Sequence, residues 1–287
     1  MSCSPETLRL FHASDLHFGA EDTAPLLAFR NAVALEKPDL VILTGDITHS
    51  ARRVEIQSAF EYLSQFEAPV CLVPGNHDTP VYSPLLRLFD PFGRFRRLAD
   101  PNTGLFPSVQ APRALWSNLH LARLRTAHGI QFRTDWSLGC VIAREQRDFS
   151  LSMADSQARW KIVACHHPLI DPPQSRVKGR TWGGAMAHNV FAAAGAHMIL
   201  CGHAHQAFAG HLGTDPEGPV TLVAPTLSNN RTRGGQQGYL DIRLSDQGII
   251  ADLCLFTPQL IETVWNRKRI WPNRETGFIP EDQKPDQ

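Results

Sequence analysis

Asp15 and His17, Asp46, Asn76 and His77, the pair His166–His167, and His203 with His205 each sit close behind a short apolar run. The runs read LRLFHA, DLVILTG, VCLVPG, KIVAC and HMILCG, and several of the 13 histidines are concentrated at their ends. Asp15 and His17 are two residues apart, so at a strand end both side chains leave the same face; His203 and His205 repeat that spacing. Gly45 and Gly75 precede Asp46 and Asn76, where a residue without Cβ lets the backbone turn sharply and crowd toward a ligand. Carboxylate, amide oxygen and imidazole, with no thiolate among them, suit Mn²⁺, Fe or Zn²⁺ better than a structural zinc site. With one of the pair His166–His167 counted, seven donors are too many for one tetrahedral ion. They suffice for two ions sharing a bridging carboxylate, roughly 3.5–4 Å apart, an arrangement that clamps both oxygens of a phosphoryl displacement.

The elements that must position these groups follow from the pattern. Strands are expected at Leu8–Ala13, Leu40–Leu43 and Val70–Val73, with helices over Ala24–Glu36, stopped at Lys37-Pro38, and Arg52–Phe66, stopped at Ala68-Pro69. Helix-length connections imply parallel neighbours, and parallel strands buried on both faces should be almost wholly apolar, as these are. Residues 80–118 read as loop with one short helix, 119–143 as two strands, and Ala143–Gln157 as a weak helix. The rhythm returns with Lys161–Cys165, a helix over Gly184–Ala194, and Met198–Cys201. Gln206–His211, Val220–Ala224, Gly238–Leu244 and Ile249–Phe256 then read as strands joined by tight turns, suggesting an antiparallel or mixed second sheet. Residues 1–257 are taken as one domain, and 258–287, polar and Pro-rich with Arg267-Lys268-Arg269, as an extended or mobile tail.

The bounds fit a soluble enzyme. Formal net charge is zero over 287 residues, against a dedicated nucleic-acid binder. No apolar run approaches the ~20 residues of a spanning helix, and the N-terminus is too polar for a signal peptide. Cys3, Cys71, Cys140, Cys165, Cys201 and Cys254 are scattered, which reads as reduced thiols in a cytoplasmic protein. His12, His120, His128, His188, His197 and His211 are read as core or capping groups, and His49 and His167 as neighbours of ligands or substrate.

Taken in order, Asp15-Leu16-His17, Gly45-Asp46, Gly75-Asn76-His77-Asp78, His166 and Gly202-His203-Ala204-His205 resemble the calcineurin-like metallophosphoesterases over residues 8 to 210. That resemblance implies an α/β fold, a four-layer αββα sandwich of two mixed β-sheets flanked by helices. It assigns one metal to Asp15, His17 and His205 and the other to Asn76, His166 and His203, with Asp46 bridging. It implies a hydroxide between the ions attacking phosphorus in line, and His77 as the catalytic group that stabilises charge or protonates the leaving oxygen. One departure matters: protein phosphatases of this superfamily carry Gly-Asp-x-x-Asp-Arg-Gly, the second Asp orienting the catalytic His. Here Gly45-Asp46-Ile47-Thr48-His49-Ser50 has His49 in that place. The chain looks more like the bacterial branch of class III cyclic-nucleotide phosphodiesterases and glycerophosphodiesterases, a softer match being Thr232-Arg233-Gly234.

The leading expectation is a dinuclear-metal phosphodiesterase acting on a small or nucleotide-like diester, without a membrane span or a stable nucleic-acid partner; related phosphodiesterases suggest a homodimer. The runner-up is a pyrophosphohydrolase of a nucleotide-linked lipid precursor, with Leu85–Arg97 as a substrate lid, although solvated arginines explain that stretch more simply. A DNA-repair nuclease lacks support from charge. A protein-binding scaffold on the same fold is disfavoured because no ligand position has decayed. Selectivity is expected in the loops at 80–118, 125–140 and 170–184.

Overall fold

The computed structural model describes residues 7–100, 104–106, 113–173, 175–229, 236–257 and 264–272. It contains β1 (Leu8–Ala13), α1 (Thr23–Glu36), β2 (Leu40–Thr44), α2 (Arg53–Leu63), β3 (Val70–Val73), α3 (Pro84–Phe89) and, after a 3₁₀ turn at Phe95–Arg97, α4 (Arg113–Asn118) and β4 (Leu119–Arg123). There follow α5 (Ala143–Asp155), β5 (Trp160–Ala164), α6 (Gly184–Ala193), β6 (Met198–Cys201), β7 (Phe208–His211), β8 (Val220–Val223), β9 (Gly238–Ser245), β10 (Gly248–Thr257) and β11 (Val264–Trp271).

Two mixed sheets form, ordered β11-β10-β9-β1-β2-β3 and β4-β5-β6-β8-β7. Alternation along β1 shows how they stack. Leu8 and Leu10 join an apolar layer with Ile162, Met198, Leu200 and Leu222 of the other sheet, whereas Phe11 and Ala13 pack with Leu26, Phe29 and Leu63 of α1 and α2. The outer face of the second sheet packs Val163 and Ile199 on Met153 of α5 and Phe191 of α6. This is the expected four-layer αββα sandwich. β1, β2 and β3 run parallel, as do β4, β5, β6 and β8, so the carboxyl ends of β1, β2, β3, β5 and β6 carry the five motif segments.

The helix starts have local causes. Asp22 accepts the Ala24 amide at 3.1 Å ahead of α1, and the Glu55 carboxylate reaches back to the Ser50 and Arg52 amides at 2.8 and 3.1 Å ahead of α2.

The architecture differs from the pattern reading in four places. The late strands do not share one sheet: β7 and β8 join β4–β6, while β9 and β10 pair with β1. Similar alternation in all four says nothing about which half of the core each one covers. Residues 119–143 supply one strand, β4, among the described residues, because Leu124 onward leaves the sheet to approach the site. Residues 80–118 supply α3, the 3₁₀ turn and α4 rather than one helix. Beyond Pro258 the chain returns as β11 on the sheet edge. Its basic run is anchored there: Arg267 reaches Asp241 at 2.6 Å and Glu36, Arg9 meets the same Asp241 at 2.7 Å, and Arg269 pairs with Asp252. The rest of the expected tail, and Thr232-Arg233-Gly234, lie outside the described residues. Among the described residues no helix is long and apolar enough to cross a membrane.

Candidate metal centre

Beyond their strands, the β1 and β2 loops stay zipped together: Asp15 N–H donates to Gly45 O at 3.0 Å, and His17 N–H to Asp46 O at 2.9 Å. Asp15, His17, Asp46, His203 and His205 all have left-handed backbones, with φ of 57°, 51°, 50°, 64° and 58°. Such a conformation is uncommon for residues with a Cβ and costs of order 1–3 kcal/mol each. Five of them in one place indicate loops held in that form so that their side chains converge. The glycines make room for it. A Cβ on Gly75 would lie 2.2 Å from Asp46 Oδ1, and one on Gly45 would lie 2.5 Å from His166 Nδ1.

The seven expected ligands meet at the mouth between the sheets. His205 Nε2 lies 3.0 Å and His17 Nε2 3.7 Å from Asp15 Oδ1. Asp46 Oδ2 lies 3.3 Å from His166 Nε2 and 3.9 Å from His17 Nε2, between the two groups. Asn76 Oδ1 is 3.2 Å from His166 Nε2. His203 joins from β6, its ring 5.2 Å from that of His166, while its N–H donates to Asp15 Oδ2 at 3.0 Å. His203 is thereby tied to the opposite sheet.

The donor set fits cations. His166 Nδ1 faces the Thr44 carbonyl at 2.7 Å, so Nδ1 carries the proton there and Nε2 presents a lone pair. That lone pair points at a carboxylate oxygen and an amide oxygen, an arrangement that needs a cation between them. Both ring nitrogens of buried His17 lack a hydrogen-bond partner. Without a metal, protons take up the strain. Burial favours neutral His166, but Asp46 beside it lifts its pKa to about 9. Burial opposes ionisation of Asp15 and Asp46, yet the surrounding imidazoles hold both below the ordinary carboxylate range. Burial, with His166 nearby, lowers His203 to about 3, leaving it neutral and able to ligate.

His77 is placed against this cluster. Its backbone N–H donates to Asp46 Oδ1 at 2.8 Å, and its Nδ1 donates to the His49 carbonyl at 2.7 Å. The His49 and His77 rings stack at 5.4 Å. The orienting partner that a second Asp provides in protein phosphatases is thus a main-chain carbonyl here. His167 has both ring nitrogens engaged by the neighbouring loop. Its Nε2 donates to Ser137 O at 2.8 Å and its Nδ1 accepts from Thr126 Oγ1 at 3.0 Å, so the ring fastens the 125–140 loop. The groups of side chains able to hold a metal draw on Asp15, His17, His49, Asp46, His77, His166, His167, His203 and His205. None of the six histidines assigned to core or caps is among them; His12, for example, is buried with Nε2 at 2.9 Å from Thr44 Oγ1.

Pattern reading missed two features. Asp78 is buried and accepts from Gly75 N (2.9 Å), Ile47 N (3.3 Å), Thr48 N (2.8 Å) and Thr48 Oγ1 (2.9 Å), clamping the β2 and β3 loops together. Its place behind Asn76-His77 was the available signal. The second is the identity of the wall residues: a cavity of about 360 Å³ is lined by His17, Asp46, Asn76, His203 and His205 of the expected ligands and by Asp135, Ser137, Arg176, Lys178, Arg180 and Asn229. Residues of the 125–140 and 170–184 loops line it, as expected, and none of the described residues of 80–118 does. Leu86, Asp90, Arg94 and Arg97 border a separate hollow, and Arg87 is turned to Gly129 O at 2.7 Å, so Leu85–Arg97 does not cover the metal cluster.

A stretch of 81 residues is 33% identical to the glycerophosphodiester phosphodiesterase GpdQ of Enterobacter lignolyticus; the match covers 24% of this chain and 29% of that protein. Two solved structures share the fold. A dimetal phosphatase from Danio rerio superposes with TM-score 0.60 at 11% identity, over 92% of this chain and 98% of that one. GAP50, the anchor in the inner membrane complex of Plasmodium, gives 0.56 at 13%, over 91% and 89%. At such identities these show the fold alone, and the two names differ enough that fold does not decide activity. The calcineurin-like phosphoesterase model matches residues 8–207, from β1 through the last paired histidines, and to that family the chain belongs.

Proposed function

We propose that the chain is a dinuclear-metal phosphodiesterase that hydrolyses a small or nucleotide-like phosphodiester. The observation that carries this is the convergence of seven lone-pair donors, Asp46 among them, with His77 bonded to that carboxylate through its backbone. Asp15, His17 and His205 would hold one ion, Asn76, His166 and His203 the other, with Asp46 available to both. When bound, Mn²⁺, Fe or Zn²⁺ ions supply positive charge to the phosphoryl oxygens and lower the pKa of coordinated water toward neutrality.

The protein does the rest. Buried carboxylates and imidazoles would fix the ions at the cavity floor, and their backbones are already in the required conformation, so little reorganises during reaction. His77 keeps its Nδ1 proton on the His49 carbonyl, leaving Nε2 as the position that exchanges a proton with the leaving oxygen. The 29% coverage of the phosphodiesterase relative leaves substrate choice to this reading.

The scaffold alternative is countered by the complete donor set, and the lipid-precursor alternative by the position of Leu85–Arg97 away from the site. A cytoplasmic location agrees with the unpaired thiols of Cys71, Cys140, Cys165, Cys201 and Cys254. Turnover of bis(p-nitrophenyl) phosphate above p-nitrophenyl phosphate with Mn²⁺, lost in Asp46→Asn, is the expected result. Preference for the monoester would move the assignment to a phosphatase.

A further inference from the structure

Three cations stand around the metal cavity, and the ligand set uses none of them. Arg176, Lys178 and Arg180 all line it, and among the described residues the acids that do so are the ligand Asp46 and Asp135. Asp135 is committed locally, its Oδ1 accepting from Ser137 N at 3.0 Å and Ser137 Oγ at 2.6 Å. Among the described residues the Arg180 guanidinium forms no ion pair.

The segment that carries these cations is built into the wall. Asp171 accepts the Gly179 and Arg180 amides at 2.7 and 3.3 Å, and Gly139 N–H donates to Gly179 O at 2.9 Å. Arg133 donates to Arg180 O at 3.2 Å while its guanidinium lies 4.3 Å from the centroid of Trp182. Lys178 Nζ is held by Pro172 O at 3.1 Å. Arg180 itself sits at φ 40°, a left-handed conformation unfavourable for a side chain with a Cβ. Held strain at a cavity wall commonly marks a functional position.

The charge is more than a simple diester needs. One scissile phosphodiester carries a single negative charge, which two metal ions held by the ligand set would already meet. Three further cations facing the same volume suit a second anionic group, and guanidinium forks match phosphate oxygens in pairs.

We infer that Arg176, Lys178 and Arg180 form a subsite for a second phosphate, so that the preferred substrate is a phosphodiester bearing an additional phosphate on one ester arm. This rests on the phosphodiesterase reading, because the first phosphate must lie at the metals.

A matched chromogenic pair tests it: thymidine 5′-(p-nitrophenyl phosphate) with and without a 3′-phosphate, assayed on the Mn²⁺-loaded full chain. The 3′-phosphorylated diester is expected to have kcat/KM about tenfold higher, mainly through KM, and the advantage should shrink as salt rises. Arg176→Gln combined with Arg180→Gln should bring the ratio close to one, Arg180→Lys should keep most of it, and Arg144→Gln on the exposed face of α5 should leave it unchanged. Calorimetry of thymidine 3′,5′-bisphosphate against thymidine 5′-phosphate on the same loaded protein reads the subsite without turnover. Equal affinity for both, or a ratio indifferent to the double substitution, overturns the subsite even if diesters are cleaved. A bisphosphate preference with no ester cleaved would keep the subsite and refute the activity.

Discussion

Gly75→Ala isolates one steric demand of the site. The backbone at Gly75 is not left-handed, so alanine meets no conformational penalty there. The new Cβ would lie 2.2 Å from Asp46 Oδ1 and 2.3 Å from Asp46 N, where ordinary contacts begin near 3.4 Å. The carboxylate can rotate, but the amide cannot, so the β2 and β3 loops must separate by about 1 Å, an overpacking that typically costs 1–3 kcal/mol. Asp46 Oδ1 also accepts the His77 amide at 2.8 Å, and Asn76 follows Gly75 directly. The displacement therefore reaches the shared carboxylate, a ligand and the proton donor together. A shift of that size at a reacting centre costs roughly 10²-fold in kcat. The expected result is a folded Gly75→Ala protein that melts a few degrees lower, binds Mn²⁺ more weakly and loses diester turnover by about that factor at saturating metal. Turnover within threefold of the parent, with full metal content, would refute the claim that contact between the β2 and β3 loops sets the position of Asp46.

Three other outcomes follow from the same geometry. Asp78→Ala orphans the buried amides of Gly75, Ile47 and Thr48; against the relief of removing a carboxyl whose pKa burial, with Asp46 nearby, raises to about 6, it should still cost about 2–5 kcal/mol by urea denaturation. His77→Gln should retain both metals by elemental analysis and lose about 10²–10⁴-fold in kcat, less for esters with better leaving groups. In the metal-free chain, His166 is raised from 6.5 to about 9, against burial, by Asp46. Its contribution, on the order of 3 kcal/mol, is fully present below about pH 6.5 and lost as pH rises through about 9. Since metal must displace that proton, Mn²⁺ affinity should rise with pH over the same window, with proton release seen in weakly buffered calorimetry.

The five ligand segments were legible because each combines an apolar strand with donors at its carboxyl end, a pattern local in sequence. Gly45 and Gly75 were legible for the same reason, and their crowding is now explicit at 2.5 and 2.2 Å. What could not be read depends on distant partners. Thr126 meets His167 across 41 residues, and Arg267 meets Glu36 across 231; neither pairing leaves a local trace. The division of β7–β10 between two sheets was hidden because period-two alternation defines a buried face without naming its partner. β11 was hidden because its basic run is neutralised by Asp241 and Asp252 on β9 and β10 rather than by water. The 170–184 loop was legible as a selectivity loop, but the placement of Arg176, Lys178 and Arg180 on the cavity wall was not, because it depends on the contacts Asp171 and Arg133 make with Gly179 and Arg180.

Everything proposed for the site depends on Asp46 being shared between two ions. Electron paramagnetic resonance of the Mn²⁺-loaded chain, with metal content measured on the same sample, tests it most directly. Two ions per chain with a spin-coupled signal, replaced in Asp46→Asn by the signal of isolated Mn²⁺, is the predicted result. One ion per chain, or two that show no coupling in the unmodified protein, would contradict it.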